Sequence, residues 1–87
     1  MNNYCQSILR KLESDINEAT TEIDDQIELA EFGIKRTLTS LSEIKNLIIK
    51  LDFSNQIEEI EFFKKQKPKF LSKLIYYNTI YKIAHVS

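Results

Sequence analysis

The sequence predicts a small all-α protein of one domain, residues 1–87, and three observations carry this prediction. One glycine and one proline are too few for a turn-rich β fold and favour long uninterrupted helices. Apolar residues recur at helical spacing over long stretches of the chain. The proportions of hydrophobic residues (43%) and charged residues (29%) are those of a soluble domain. A domain of this size has a small core and marginal stability.

The first predicted helix spans about residues 3–50. Its apolar positions step by 4, 4 and 3 residues, an 11-residue repeat that fits a nearly straight helix of about 3.67 residues per turn. Gly33 costs about 1 kcal/mol relative to alanine without requiring a break. Ser40 and Glu43 have the spacing of a capping box, so the sequence leaves open a break near Ser40. The stripe consists of Ile8, Leu12, Ile16, Ala19, Ile23, Ile27, Ala30, Ile34, Leu38 and Leu41.

Two shorter helices are predicted after a connection at residues 51–55. Ser54 or Asn55 is expected to cap a helix of about residues 55–66. Pro68 is unfavourable inside a helix and suits the first position of another, so a third helix is predicted for about residues 68–84.

The two shorter helices are expected to return antiparallel along the first. Residues 1–31 hold eight acidic and two basic residues, whereas residues 58–87 hold six lysines and three acids, and these charges attract. Because the first helix is the longest, part of its stripe lacks a partner within the chain. This predicts a protein partner, or self-association, through helix 1. The predicted interaction surface consists of Ile8, Leu12, Ile16, Ile23 and Ile27.

The sequence contains no set of residues equipped for catalysis, so we predict that the chain is not an enzyme. Cys5 and His85 are the single cysteine and histidine, and they lie at opposite ends without ligand spacing. One glycine cannot build a phosphate-binding loop. No cofactor and no metal are therefore predicted. A single cysteine, the absence of a signal-like start and the absence of a long apolar run predict a cytoplasmic protein without membrane contact.

Five lysines in ten residues alternate with aromatic side chains in the last third of the chain. A basic patch of this kind can hold a nucleic-acid backbone. The preferred interpretation is that the lysines balance the acids of helix 1 and keep an apolar helix soluble, since this stretch contains no arginine. The lysines are Lys64, Lys65, Lys67, Lys69 and Lys73.

The same region contains a long sequence string. It runs EIEFFK at residues 59–64, KP at 67–68, KLIYYN at 73–78 and IYKI at 80–83. This string resembles the amino-terminal part of RteC-type proteins, which are tetracycline-linked regulators of conjugative-transposon excision. The resemblance covers nearly all of the chain. Its signature residues are Phe62, Phe63, Pro68, Leu74, Ile75, Tyr76, Tyr77 and Tyr81.

In RteC-type proteins a helical amino-terminal domain precedes a winged-helix domain that binds DNA and activates transcription of excision genes. The resemblance therefore implies a helical regulatory or interaction module, with DNA contacted only through a carboxyl-terminal domain that this chain lacks. Residues 84–87 depart from the family pattern, which suggests a truncated homologue, a frameshifted reading frame or a stand-alone descendant. The signature itself is read as architectural, with a bend at Pro68 and apolar residues packing on helix 1.

Two other functions remain open at this point. The chain fits a free-standing helical adaptor or dimerisation protein unrelated to transcription. Direct DNA binding through the lysine cluster is the weaker alternative.

Overall fold

The computed structural model describes residues 3–86, and within this range the fold consists of three helices and no strand. They are α1, Asn3–Thr20; α2, Gln26–Phe53; and α3, Ile57–Val86. Helices α2 and α3 pack along their length, and α1 packs mainly on α2. The predicted all-α three-helix fold is confirmed. The predicted helix boundaries are wrong at three places, each for an identifiable physical reason.

The first error concerns the predicted helix of residues 3–50, which the structure divides into α1 and α2 at residues 21–25. Asp25 caps α2, because its Oδ2 accepts a hydrogen bond of 3.3 Å from the Glu28 backbone N–H. Such a cap satisfies a donor that has no partner within the helix. Ser40, where the sequence left open a break, instead lies buried in the middle of α2.

The second error concerns Pro68, because α3 continues through it as one helix. The separate helices predicted for residues 55–66 and 68–84, and the bend between them, are therefore wrong. A proline inside a helix costs about 3 kcal/mol. Phe63 and Phe70, before and after it, are each only 1% exposed. Burying each ring stabilises the fold by about 1.5–3 kcal/mol, so packing outweighs the local cost.

A three-residue turn joins α2 to α3, close to the predicted connection. Gln56 N–H donates to the Leu51 carbonyl at 3.1 Å, and Asn55 N–H donates to the Asp52 carbonyl at 3.2 Å. This is the hydrogen-bond pattern of a Schellman motif, and Asn55 adopts the left-handed conformation it requires, with φ of 56°. Ser54 and Asn55 therefore end α2, and neither begins α3 as predicted.

The α2–α3 hairpin is an antiparallel pair whose buried positions follow a seven-residue repeat. Four of the seven positions in α2 are small residues, whereas three of the seven in α3 are aromatic. Gly33 lies against Tyr77, and a β-carbon at position 33 would overlap the tyrosine ring. The a and d positions are Ala30, Gly33, Thr37, Ser40, Ile44, Leu47 and Leu51 in α2, and Phe63, Gln66, Phe70, Lys73, Tyr77, Ile80 and Ala84 in α3.

Helix α1 runs antiparallel to α2 and covers only the half of the hairpin nearest the α2–α3 turn. Ile8 and Leu47 line one groove between the two helices, and Ala19 and Arg36 line another. Four α1 side chains belong to the core of the protein, at the 4-3-4 spacing of one helical face. They are Cys5, Leu9, Leu12 and Ile16.

Candidate functional site: an open apolar face

The α2–α3 hairpin has two flanks, because in an antiparallel pair the e positions of both helices lie on one side and the g positions on the other. Helix α1 occupies the g flank, where it shares grooves with Arg36, Glu43 and Lys50. These three residues are all g positions of α2. No other described helix remains to cover the e flank.

The uncovered flank is strongly apolar, and we call it the open face. Seven of its eight e positions are apolar or aromatic, with Lys67 as the exception. The b positions lie next to the e positions on each helix. Two leucines at b positions, Leu38 in α2 and Leu71 in α3, widen the open face. The e positions of the open face are Ile27, Ile34, Leu41, Ile48, Ile60, Lys67, Leu74 and Tyr81.

Ile60 of the open face is buried, at 8% exposure, whereas the other apolar e positions are only partly withdrawn from water. Leu38 is 50% exposed and Leu71 is 47% exposed. Ile34, Leu41 and Ile48 are half-buried, because their inner sides contact the core while their outer sides face solvent. Apolar residues that remain partly exposed along two adjacent helices indicate an interaction site.

The predicted interaction surface on the first helix is placed differently by the structure. Leu12 and Ile16 are 2% and 0% exposed, so they form the core and present no surface to a partner. Ile8 is half-buried in α1, and Ile23 is half-buried in the linker of residues 21–25. Ile27 alone of the five belongs to the open face. The surface expected on the first helix therefore lies on α2 and α3.

The 4-4-3 stripe nevertheless contained a signal for the open face. Its later members, including Ile34, Leu38 and Leu41, lie on the open face or immediately beside it. The sequence reading missed the contribution of α3, because the predicted break at Pro68 divided that helix. It also missed the seam, whose signal was a row of small residues in α2 matched by aromatic residues seven apart in α3, at Phe63 and Phe70.

The signature residues are divided between the core and the surface. Phe62, Phe63 and Tyr77 are buried, Leu74 and Tyr81 are half-buried, and Pro68 is exposed. Ile75 and Tyr76 are 66% and 60% exposed, so Ile75 does not pack on the first helix as expected. Most of the buried part of the signature packs against α2.

The five lysines spread around α3 and do not line one groove. They occupy the b, c, e, g and d positions in chain order, and Lys73 alone is half-buried. Phe62, Phe63 and Phe70 are buried and cannot stack on bases. This arrangement gives little support to a nucleic-acid site at the lysines.

Cys5 lies where the beginnings of α1 and α3 approach each other. Burial raises the pKa of the Cys5 thiol, and the nearby Glu59 carboxylate raises it further. The thiol is therefore protonated at neutral pH, whereas a nucleophilic cysteine needs the thiolate.

The remaining grooves and polar clusters of residues 3–86 offer no further site. A groove of about 520 Å³ at the tip of the hairpin is lined by Asp24, Asp25, Ile80 and Ile83 among others, without any basic or nucleophilic side chain. In residues 3–86, no group of three or more histidine, cysteine or acidic residues is placed to hold a metal ion. No helix in the same range has the length and apolar character needed to cross a membrane.

Comparison with models of protein families, with curated proteins and with solved structures gives no match to this chain.

Proposed function

We propose that this chain is a non-catalytic helical interaction module that binds protein through its open face, and that it acts as the regulatory half of an RteC-like regulator of mobile-element excision. One observation carries the first part. Seven of the eight e positions are apolar or aromatic, while α1 covers half of the opposite flank. The second part rests on the sequence string at residues 59–83 and on the helical character that the resemblance implies.

The open face is better suited to a helical partner than to a small ligand. It is a strip of apolar side chains along two antiparallel helices, and amphipathic helices bind such strips through apolar residues at helical spacing. Small-molecule sites are instead concave and enclosed. The single charged e position, Lys67, lies within an otherwise apolar row.

The proposal can be tested by competition in cells that carry an RteC-type regulator and a reporter driven by an excision-gene promoter. The 87-residue chain, expressed separately, competes with the helical half of the regulator for its protein contacts. We expect tetracycline-linked reporter expression to fall several-fold. The Leu38→Glu variant is expected to leave the reporter unchanged, because a carboxylate on the open face opposes apolar docking.

The matched control for this experiment is Ile49→Glu. Ile49 is 47% exposed on the same helix, close to the 50% of Leu38, but occupies an f position away from the open face. This variant is expected to lower the reporter as the wild-type chain does. An unchanged reporter, with the wild-type chain folded and present, would contradict the regulatory part of the proposal.

A free-standing adaptor or dimerisation protein is the second candidate function, favoured by the same open face without the resemblance. With this function, expression of the 87-residue chain leaves the reporter unchanged, although the open face still binds protein. Direct DNA binding is a weaker third candidate and predicts affinity that falls steeply with salt.

A further inference from the structure

We infer that the occupant of the open face is a second copy of this chain, paired about a two-fold axis that crosses α2 and α3 at right angles. This inference rests on the proposed interaction function and names its partner. The pairing places α2 over α2 and α3 over α3 of the second copy, each antiparallel. The result is a four-helix core with one α1 on each outer side.

The size of the open face suits such a dimer. Helices of 28 and 30 residues are each about 40 Å long at 1.5 Å per residue, and two side by side are about 20 Å wide. A stable interface buries about 800 Å² on each partner, so the face is large enough.

The exposed b positions of α2 are complementary to themselves under this two-fold axis. Leu38 lies near the middle of the face, with Glu31 seven residues before it and Lys45 seven residues after it. When the axis passes through Leu38, the leucines of the two copies meet. Each Glu31 then lies opposite Lys45 of the other copy, so the dimer contains this pair twice.

Charge also selects between two alignments of the same faces. The other two-fold alignment, with the axis parallel to the helices, places α2 over α3 of the second copy at equal height. Gly33 is level with Tyr77, so Lys45 is nearly level with Lys64. That alignment would place these two lysines opposite each other at two points, whereas the antiparallel alignment opposes a lysine to a glutamate.

Sedimentation equilibrium of the purified 87-residue chain tests the dimer. We expect a Kd in the micromolar range. The chain should therefore be dimeric at about 100 µM protein. Leu38→Glu should raise the Kd by about 100-fold, because two carboxylates would meet in an apolar interface. Ile49→Glu should leave the Kd unchanged. Circular dichroism verifies that each variant remains helical.

Charge exchange at exposed positions tests the alignment without risk to the fold. Lys45→Glu should raise the Kd several-fold at low salt, because it places two glutamates opposite each other at both points. The double variant Glu31→Lys/Lys45→Glu should restore the wild-type Kd. In the other alignment, Lys45→Glu would instead lower the Kd by relieving the contact with Lys64.

A wild-type monomer at about 100 µM, far above a micromolar Kd, would overturn the inference. So would a dimer that Leu38→Glu leaves intact, or one that Lys45→Glu strengthens. These results are distinct from failure of the proposed function. A monomeric chain that lowers the reporter would overturn the dimer alone, whereas a dimer that leaves the reporter unchanged would overturn the regulatory role alone.

Discussion

The two flanks of the α2–α3 hairpin differ in charge, and the flank that α1 covers is the more charged one. The covered g flank of α2 carries Arg36, Glu43 and Lys50, whereas the uncovered e flank carries Ile34, Leu41 and Ile48 at equivalent positions. Helix α1 packs at the edge of its flank through its own apolar face and leaves these charges at the rim. The flank with more apolar positions is the one that lacks a helix.

This difference shows that α1 covers half of one flank of the hairpin, whereas no described helix covers the other flank. A helix pair needs apolar surface on only one face of each helix to form a hairpin. In α2 and α3 the apolar residues extend beyond the seam to a second face, whose inner side packs on the core while its outer side contacts water. Burial of that second face requires another molecule.

The largest expected effect on the free energy of unfolding comes from truncating a buried side chain of α1. Ile16→Ala should lower the free energy of unfolding by about 2–5 kcal/mol, because Ile16 is 0% exposed and a cavity would remain. Ile34→Ala on the open face should cost only about 1 kcal/mol in the single chain, since its outer side already contacts water. Urea denaturation at low protein concentration measures both. Equal losses would show that the two flanks are covered alike.

A smaller effect is expected at the seam that both flanks share. Gly33→Ala should destabilise the protein by about 1–3 kcal/mol, because the added methyl group overlaps the Tyr77 ring. Helix propensity alone predicts the opposite sign, a gain of about 1 kcal/mol. Ser42→Ala, at an exposed position of the same helix, provides the propensity control. A gain in thermal stability from Gly33→Ala would mean that the helices do not approach closely here.

The smallest expected effect concerns the break that allows α1 to reach its flank. Asp25→Ala should lower the free energy of unfolding by about 1 kcal/mol, because the N-cap hydrogen bond to the Glu28 amide is lost. Asp25→Asn preserves an acceptor and should be nearly neutral. Asp24→Ala changes the neighbouring acid, which is not the cap. Thermal denaturation of the three variants should therefore single out Asp25→Ala, and equal losses from both alanine variants would contradict the cap.

Helix content was predictable because it follows from local composition, whereas the helix boundaries depended on competing local signals. Asp25 and Glu28 have the same spacing as Ser40 and Glu43, so the true start of α2 was present in the sequence. The stripe concealed it, because apolar residues on two separate helices happen to continue one 11-residue rhythm. Proline does destabilise a helix interior, as the sequence indicated at Pro68. The packing of α3 on α2 outweighs this cost, and local sequence does not reveal that packing.

The open face was only partly predictable for a related reason. A stripe read from one helix shows which residues are apolar but not which neighbour covers them. Leu12 and Leu38 belong to the same stripe, yet one is 2% exposed and the other 50% exposed. Only the way in which α1 folds back decides between them. The candidate surface therefore follows from the arrangement of the helices as much as from the residues.

The turn at Asn55 has a consequence for any change in chain length. Its hydrogen-bond pattern fixes the residue at which α3 begins, and each residue added there would rotate α3 by about 100° relative to α2. A single inserted codon would thus turn Phe63, Phe70 and Tyr77 out of the seam and present different side chains on both flanks. Substitutions in α3 act one position at a time, whereas an insertion at this turn reassigns the neighbours of the whole helix.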